Sequence, residues 1–434
     1  MSTLIDAGAP DFEAKFRRVL EASREEKSHV DDAVAAILAD VKARGDAAVL
    51  DYTKKWDRLD LTAAKMRFTA QELDQAAGNC DPTTLAAVKT AADRIAVYHR
   101  RQMPHDEFFT DPQGVGLGWR CTAVSSAGLY VPGGTAALFS SVLMNAVPAK
   151  VAGVARLVVT LPTPDGKTNS LMLAACKIAG VDEVYRIGGA QAIGALAYGT
   201  ATIRPVDKIV GPGNAYVASA KKQVFGTVGI DMIAGPSEVT VVADGQNDPA
   251  WIAADLLAQA EHDASSQSIL ITDDRAFAER AIAAVESALK TLPRAEIARA
   301  AWQKHGAVVV VKSLADAPAL VDRIAPEHLE LAVADPQALS VKIRHAGAIF
   351  LGRHTPEAVG DYIAGPSHVL PTSGTARFSS GLSVFDFLKR TSLIDCSAEG
   401  LASIGKAAVD MAEAEELGAH ARSVAIRLNL GPGR

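Results

Sequence analysis

The feature that most constrains this chain is an alternation running from about residue 115 to residue 311. Short apolar, β-branched runs recur there between segments of helical periodicity. Leu157–Leu161, Glu183–Ile187, Lys208–Val210, Glu238–Val242, Ser268–Thr272 and Ala307–Val311 each read as a buried strand with a helix-like segment nearby. Unbroken apolar strands spaced by helices imply mostly parallel sheets covered on both faces. The predicted class is therefore α/β. Two strings, RLVVTLPTPDGK and QSILITDDRAF, both read strand, turn, helix, which suits two similar lobes. The first hundred residues read as helices instead, over Phe12–Glu25 and Val30–Lys42, with Asp81 as an N-cap before a first-turn Pro82. After Gly381 the helical period returns in Ala398–Glu416 and Ala419–Arg427. That tail suits a small separate unit or an arm packed on another subunit.

Charge and cysteine usage narrow the function classes. Fifty acidic against 44 basic side chains, with no basic tract, argue against nucleic acid or an anionic membrane as the main partner. Cys80, Cys121, Cys176 and Cys396 lie far apart with no C-x-x-C pair. This spacing disfavours a disulfide framework or an all-thiolate zinc site and fits a reducing cytosol. The amino-terminal string MSTLIDAGAPDFEAKFRR carries acids where a signal peptide needs an apolar run. No stretch approaches the roughly 20 apolar residues of a membrane span. The expectation is a cytoplasmic protein without membrane contact.

Three glycine-rich segments follow candidate strands: Tyr130-Val131-Pro132-Gly133-Gly134, Gly188-Gly189-Ala190-Gln191 and Gly211-Pro212-Gly213-Asn214. Glycine after a strand lets backbone N–H groups approach a phosphate or ribose closely. It also serves in an ordinary tight turn, and none of the three is a G-x-G-x-x-G fingerprint. Together they favour a ligand crevice at strand ends about as much as plain turns.

Four constellations carry candidate chemistry. Gln259 and His262 are three apart and would share one face if their segment is helical, able to hold a metal or simply to end a helix. Asp361 and His368 flank a loop of little apolar content, where a capped turn and an exposed histidine are the plain alternative. Glu415 and His420 are five apart, with Gly418 between them read as a helix stop. Glu327 and His328 are neighbours after Pro326, so they could share a site only through an irregular turn, because strand neighbours face opposite sides. The His, Asp and Gln types suit a nitrogen- and oxygen-liganded metal such as zinc, though spacing alone does not make them converge.

The same residues lie in long strings that resemble histidinol dehydrogenases along nearly the whole chain. The strings are GLYVPGGTA, RIGGAQAIGALAYGT, KIVGPGNAYV, DMIAGPSEV, AQAEHD, APEHLEL, VGDYIAGPSHVLPT and ELGAH. The resemblance implies a homodimer with one Zn2+ per subunit that oxidises L-histidinol to L-histidine with two NAD, through a histidinaldehyde held on the enzyme. By position it implies Gln259, His262, Asp361 and His420 as zinc ligands that also meet the substrate. It implies His328 as a general base that also contacts substrate, and Glu327 as the carboxylate that activates water. Ser237, His368 and Glu415 match substrate contacts; Tyr130, Gln191 and Asn214 match NAD contacts. The implied architecture is two incomplete Rossmann-like lobes with small helical terminal units. These divide as 1–25, then 26–129 with 238–380, then 130–237 for NAD, and 381–434 completing the neighbouring subunit's site. The competing readings are a dehydrogenase of the same fold for another polar primary alcohol, a two-lobed binding protein, and a zinc hydrolase. The last is disfavoured because four protein ligands leave no ready place for an activated water.

Overall fold

The computed structural model describes residues 3–22, 30–133, 138–233 and 235–430. They form two compact units, Met1–Gln102 with Val124–Phe387, and Met103–Ala123 with Leu388–Arg434. In chain order the strands are β1 (Thr3–Asp6), β2 (Glu107–Thr110), β3 (Val115–Ala123), β4 (Ser126–Tyr130), β5 (Arg156–Thr160), β6 (Glu183–Tyr185) and β7 (Lys208–Val210). They continue as β8 (Gly229–Ile230), β9 (Glu238–Ala243), β10 (Gln267–Thr272), β11 (Ala307–Val310), β12 (His328–Ala332), β13 (Ala348–Leu351) and β14 (Leu388–Cys396).

The larger unit holds two parallel sheets. One has six strands in the order β1-β11-β10-β9-β12-β13, the other five in the order β6-β5-β4-β7-β8. All six strands expected from the pattern are present, as β5, β6, β7, β9, β10 and β11, and the two similar strings each supply a strand-turn-helix unit, one per sheet. Every residue of β9 and β10 is buried, as strands covered on both faces require. Alternate residues serve opposite faces. Val239, Val241 and Leu270 pack with the helices Pro249–Ala260 and Arg275–Ala288, while Val242, Ile269 and Ile271 pack with Phe16, Leu320 and Val321. The strand β12 escapes the apolar signal because its sequence, HLELA, carries two polar residues that are nonetheless buried.

Three groupings differ from the sequence expectation. Val34, Ile37, Leu38 and Val41 of the helix Asp31–Arg44 enter the core of the five-stranded sheet with Ile193 and Leu196, so this segment of 26–129 belongs to the lobe of 130–237. Gly194 makes that packing close, since a Cβ there would lie 3.1 Å from Leu38. The amino-terminal segment is not purely helical. It adds β1 in register with β11, and its helix is described over Phe12–Ala22, Glu25 lying outside the described residues. The smaller unit is likewise not purely helical: β14 pairs antiparallel with β3, which pairs with β2, beside the helices Ala398–Ala414 and Gly418–Ala425. Helical periodicity marks which face is apolar but not which surface it will cover.

Within the five-stranded sheet, Arg156 of β5 donates to both oxygens of Glu183 on β6, at 2.7 and 3.2 Å, and the Tyr185 hydroxyl donates to Glu183 at 2.8 Å. Burial pushes the Glu183 carboxyl up, but these donors outweigh it and hold the group down at about 2. The glycine loops are packed for a different reason. A Cβ at Gly133 or at Gly188 would lie 2.4 Å from Pro162, so the loops after β4 and β6 close on the same proline from two sides. Gly134, the next residue of the first loop, lies outside the described residues.

Two outcomes follow. The depressed Glu183 value means that its contribution is complete above its ordinary 4.5 and is lost as the pH falls toward 2. Glu183→Gln is therefore expected to lower stability by roughly 1–3 kcal/mol at pH 7, and the gap from the parent should close in acid, as read by urea denaturation across pH. Gly188→Ala should cost roughly 1–3 kcal/mol through overpacking, whereas Gly78→Ala, with open space at the end of its helix, should be neutral or slightly stabilising in the same assay.

Candidate active site

The site is assembled at the amino-terminal ends of β9 and β12. The helix Ala317–Ile324 ends in Ala325, whose φ of +49 turns the chain sharply into Pro326. Glu327 thus precedes the strand instead of alternating along it, and His328 opens β12. This is the irregular turn that two sequence neighbours need to share a site. Glu327 Oε2 lies 3.7 Å from His328 Nδ1.

The neighbouring strand fixes both side chains. Register pairs His328 with Val239, which sets the Glu238 peptide beside the pair. The Glu238 N–H donates to Glu327 Oε2 at 2.8 Å, and the Glu238 carbonyl lies 3.1 Å from His328 Nδ1. A carbonyl only accepts, so Nδ1 carries a proton and Nε2 is left as the atom that exchanges one. Nε2 lies 3.5 Å from Asp361 Oδ1. Ser237 sits immediately before β9, and its carbonyl accepts from Gln267 N at 3.0 Å.

Gln259 is buried in the last turn of the helix Pro249–Ala260, and His262 stands just beyond, exposed, its N–H donating to the Gln259 carbonyl at 3.2 Å. The Gln259 amide has one orientation that satisfies both ends: its nitrogen donates to Glu357 Oε1, and its oxygen accepts from Glu238 N at 3.0 Å. Asp361 is not in a loop, as the sequence reading had it, but in the short helix Glu357–Tyr362. His368 is not exposed. Its Nδ1 lies 3.0 Å from the Asp361 carbonyl and its Nε2 3.1 Å from Ser141 Oγ, so both ring nitrogens have protein partners.

The electrostatics are those of a crowded acid cluster. Burial pushes Glu327 up to about 8 and Glu357 up to about 8. Burial alone would lower His328, yet the charges of Glu357, Glu327 and Asp361 lift it well above its ordinary value. Burial raises Asp361, but the imidazoles of His328, His368 and His262 outweigh it and hold that carboxyl low. Beneath them, burial pushes Asp255 up to about 6, and burial with the neighbouring Asp255 charge pushes Glu330 well above the carboxylate range. Such displaced values are what catalytic acids and bases require.

Among the described residues, the ligand atoms of His328, Glu357 and Asp361 all lie within 4.8 Å of one another. Of the zinc ligands implied by resemblance, only Asp361 belongs to that trio, while Gln259 joins it through Glu357. The donor set fits a cation: among the described residues Glu357 Oε2 and His328 Nε2 are both buried without a hydrogen-bond partner, and nitrogen with carboxylate oxygen suits zinc. Glu357 was legible only as an acid four residues before Asp361, the spacing of one helix face. Glu238 was read only as the start of a strand, and its site role comes from its peptide.

The residues implied for NAD gather in the other sheet, at strand carboxyl ends. Tyr130 ends β4; its buried hydroxyl accepts from Gly189 N at 3.1 Å, and a Cβ on Gly211 would lie 2.2 Å from its carbonyl oxygen. Tyr130 therefore sits between the second and third glycine loops. Gln191 is buried, and among the described residues its Oε1 has no hydrogen-bond partner, an acceptor available to a ligand. Asn214 Oδ1 caps the helix Ala215–Val224, accepting from Tyr216 N and Val217 N. Glu415 and His420 belong to the smaller unit and are exposed. The reversal between them is made by Glu416, at φ +60, while Gly418 opens the second helix instead of stopping the first.

The model of the family "Histidinol dehydrogenase" matches residues 20–428. A histidinol dehydrogenase of Rhodospirillum rubrum is 64% identical over 432 residues, covering 99% of this chain and 100% of that protein. One from Bradyrhizobium diazoefficiens is 60% identical over 430 residues, again covering 99% and 100%. The crystal structure of histidinol dehydrogenase from Elizabethkingia anophelis superposes with a TM-score of 0.94 at 36% identity, covering 99% of this chain and 98% of that one. An oxidoreductase with a buried glutamate–histidine pair at the amino ends of one parallel sheet and glycine loops at the carboxyl ends of another, this chain belongs to the histidinol dehydrogenase family.

Proposed function

We propose that the protein oxidises L-histidinol to L-histidine, the last step of histidine biosynthesis, in two NAD-dependent steps through histidinaldehyde, as a cytoplasmic homodimer with one zinc ion per subunit. The observation that carries this reading is the buried Glu327–His328 pair held by the backbone N–H and carbonyl of one residue, Glu238, with His328 Nε2 beside Asp361. Gln259, His262 and Asp361 would hold the zinc, joined by His420 from a second copy of the chain. When bound, zinc supplies a Lewis-acid template for the substrate's amine and imidazole nitrogens.

Removing hydride from a primary alcohol requires a base for the hydroxyl proton. His328 Nε2 takes it as the hydride leaves the same carbon for NAD, and the Nδ1–H bond to the Glu238 carbonyl steadies the imidazolium. The charges of Glu357, Glu327 and Asp361 hold the imidazole protonated, and a positive charge held at Asp361 would favour its neutral, proton-accepting form. The aldehyde then adds water, and His328 Nε2 returns its proton to the carbonyl oxygen as it does, which leaves the imidazole able to accept again. Glu327, which burial raises to about 8, takes the proton from that water in its ionised form, the form that predominates above that value. The hydrate gives its hydroxyl proton to His328 and its hydride to a second NAD. Ser237, His368 and Glu415 would surround the substrate, with Tyr130, Gln191 and Asn214 against the nucleotide.

His328→Asn is expected to slow both oxidations by on the order of a hundred- to ten-thousand-fold. Glu327→Gln should impair the aldehyde step more than the alcohol step, measured by supplying histidinol and histidinaldehyde separately. Equal damage to both half-reactions in Glu327→Gln would overturn the division of roles. With limiting L-histidinol and excess NAD, about two NADH should form per molecule, none after chelation, with recovery on adding zinc. One NADH per molecule would mean that the aldehyde escapes, and none with zinc bound would point to another polar alcohol.

A further inference from the structure

The third glycine loop is held by a feature that the chemistry above does not use. Lys221, on the helix Ala215–Val224, and Asp231, just after β8, form an ion pair whose side chains are 2% and 0% exposed. Both partners also hold the same residue. Lys221 Nζ donates to the Gly211 carbonyl at 2.8 Å, and the Gly211 N–H donates to Asp231 Oδ2 at 2.8 Å. Gly211 thus has both backbone polar groups taken by opposite ends of one buried salt bridge, with φ at +111 and no room for a Cβ against Tyr130.

A buried ion pair costs desolvation and adds little net stability over a well-packed apolar pair. Charge-assisted bonds to a backbone do, however, fix geometry strongly. Gly211 opens the loop that ends in Asn214, and it abuts Tyr130, whose hydroxyl reaches the second glycine loop at Gly189. The pair therefore sets the relative placement of Tyr130 and Asn214. Around it, the charge of Asp231 is felt at Asp386, and Lys208 stands 3.8 Å from Asp386, so the two neighbouring carboxylates are flanked by a lysine on each side.

We propose that Lys221 and Asp231 are positioning residues for the nucleotide, acting through Gly211 and touching neither substrate nor the reacting atoms. This rests on the reading that Tyr130, Gln191 and Asn214 line the NAD site. The test uses full-length zinc-loaded enzyme, with NAD binding measured directly alongside steady-state kinetics. The double variant Lys221→Met/Asp231→Leu removes both charges together, so no lone buried charge remains to unfold it. It is expected to melt cooperatively near the parent, to raise the KM and Kd for NAD tenfold or more, and to leave the KM for histidinol and the zinc content within about twofold. Asp231→Asn, which keeps an acceptor for the Gly211 N–H, should lie between parent and double variant. Parent-like NAD affinity in the double variant overturns the proposal, and so does loss of fold in both variants, which would make the pair purely structural. Gln191→Ala separates the two claims. If it leaves NAD affinity unchanged, the nucleotide reading fails; if it weakens NAD while the clamp variants do not, only the clamp fails.

Discussion

The pairing of β9 with β12 is the contact on which the site depends. Their register sets the Glu238 peptide against Glu327 and His328, so a backbone N–H and carbonyl from one strand orient two side chains from the next. Backbone at the start of a strand paired on both sides has little freedom to move, and the Glu238 carbonyl is part of it. Its dipole can therefore assign the proton on His328 Nδ1 without a flexible partner that might reorganise during reaction. The same Glu238 N–H is shared with the Gln259 amide oxygen, which ties the end of the helix Pro249–Ala260 to the pair.

The two parallel sheets contribute opposite ends. Tyr130, Gln191 and Asn214 follow strand carboxyl ends, as ligands of open parallel sheets generally do. Ser237, Glu327 and His328 stand instead at strand amino ends, and the helix ending at Ala260 and the helix Glu357–Tyr362 bring Gln259 and Asp361 to that same edge. The helix Phe139–Ala152, which follows β4, joins the two regions directly: Ser141 Oγ reaches His368, and the Met144 carbonyl accepts from Ser367. Each lobe thus offers what the other lacks, glycine loops on one side and a buried cluster of carboxylates and imidazoles on the other.

How much of this was legible in the sequence differs by feature. Apolar strands buried on both faces announce themselves, because most of their residues must be hydrophobic, and all six expected strands are present. A strand such as β12, which buries a histidine and a glutamate, is invisible to the same signal. Glycine was legible as a loop marker but not as to purpose: Gly133 and Gly188 make room for Pro162, a packing need, while Gly211 accommodates a left-handed backbone beside Tyr130. Glu357 went unremarked because a lone acid on a short helix usually faces solvent, and only burial beside Gln259 gives it a role.

The sequence by itself determined the fold class, the family and the identity of the groups able to move protons or hold a cation, since these depend on local period and on side-chain chemistry. The tertiary structure decided which groups meet. The helix Asp31–Arg44 joined the five-stranded sheet rather than the six-stranded one, and a backbone carbonyl rather than a side chain fixed the histidine tautomer. A salt bridge between residues ten apart in sequence seized one glycine from both sides. Such outcomes depend on register, burial and close approach between distant segments, quantities that no local pattern of residues encodes.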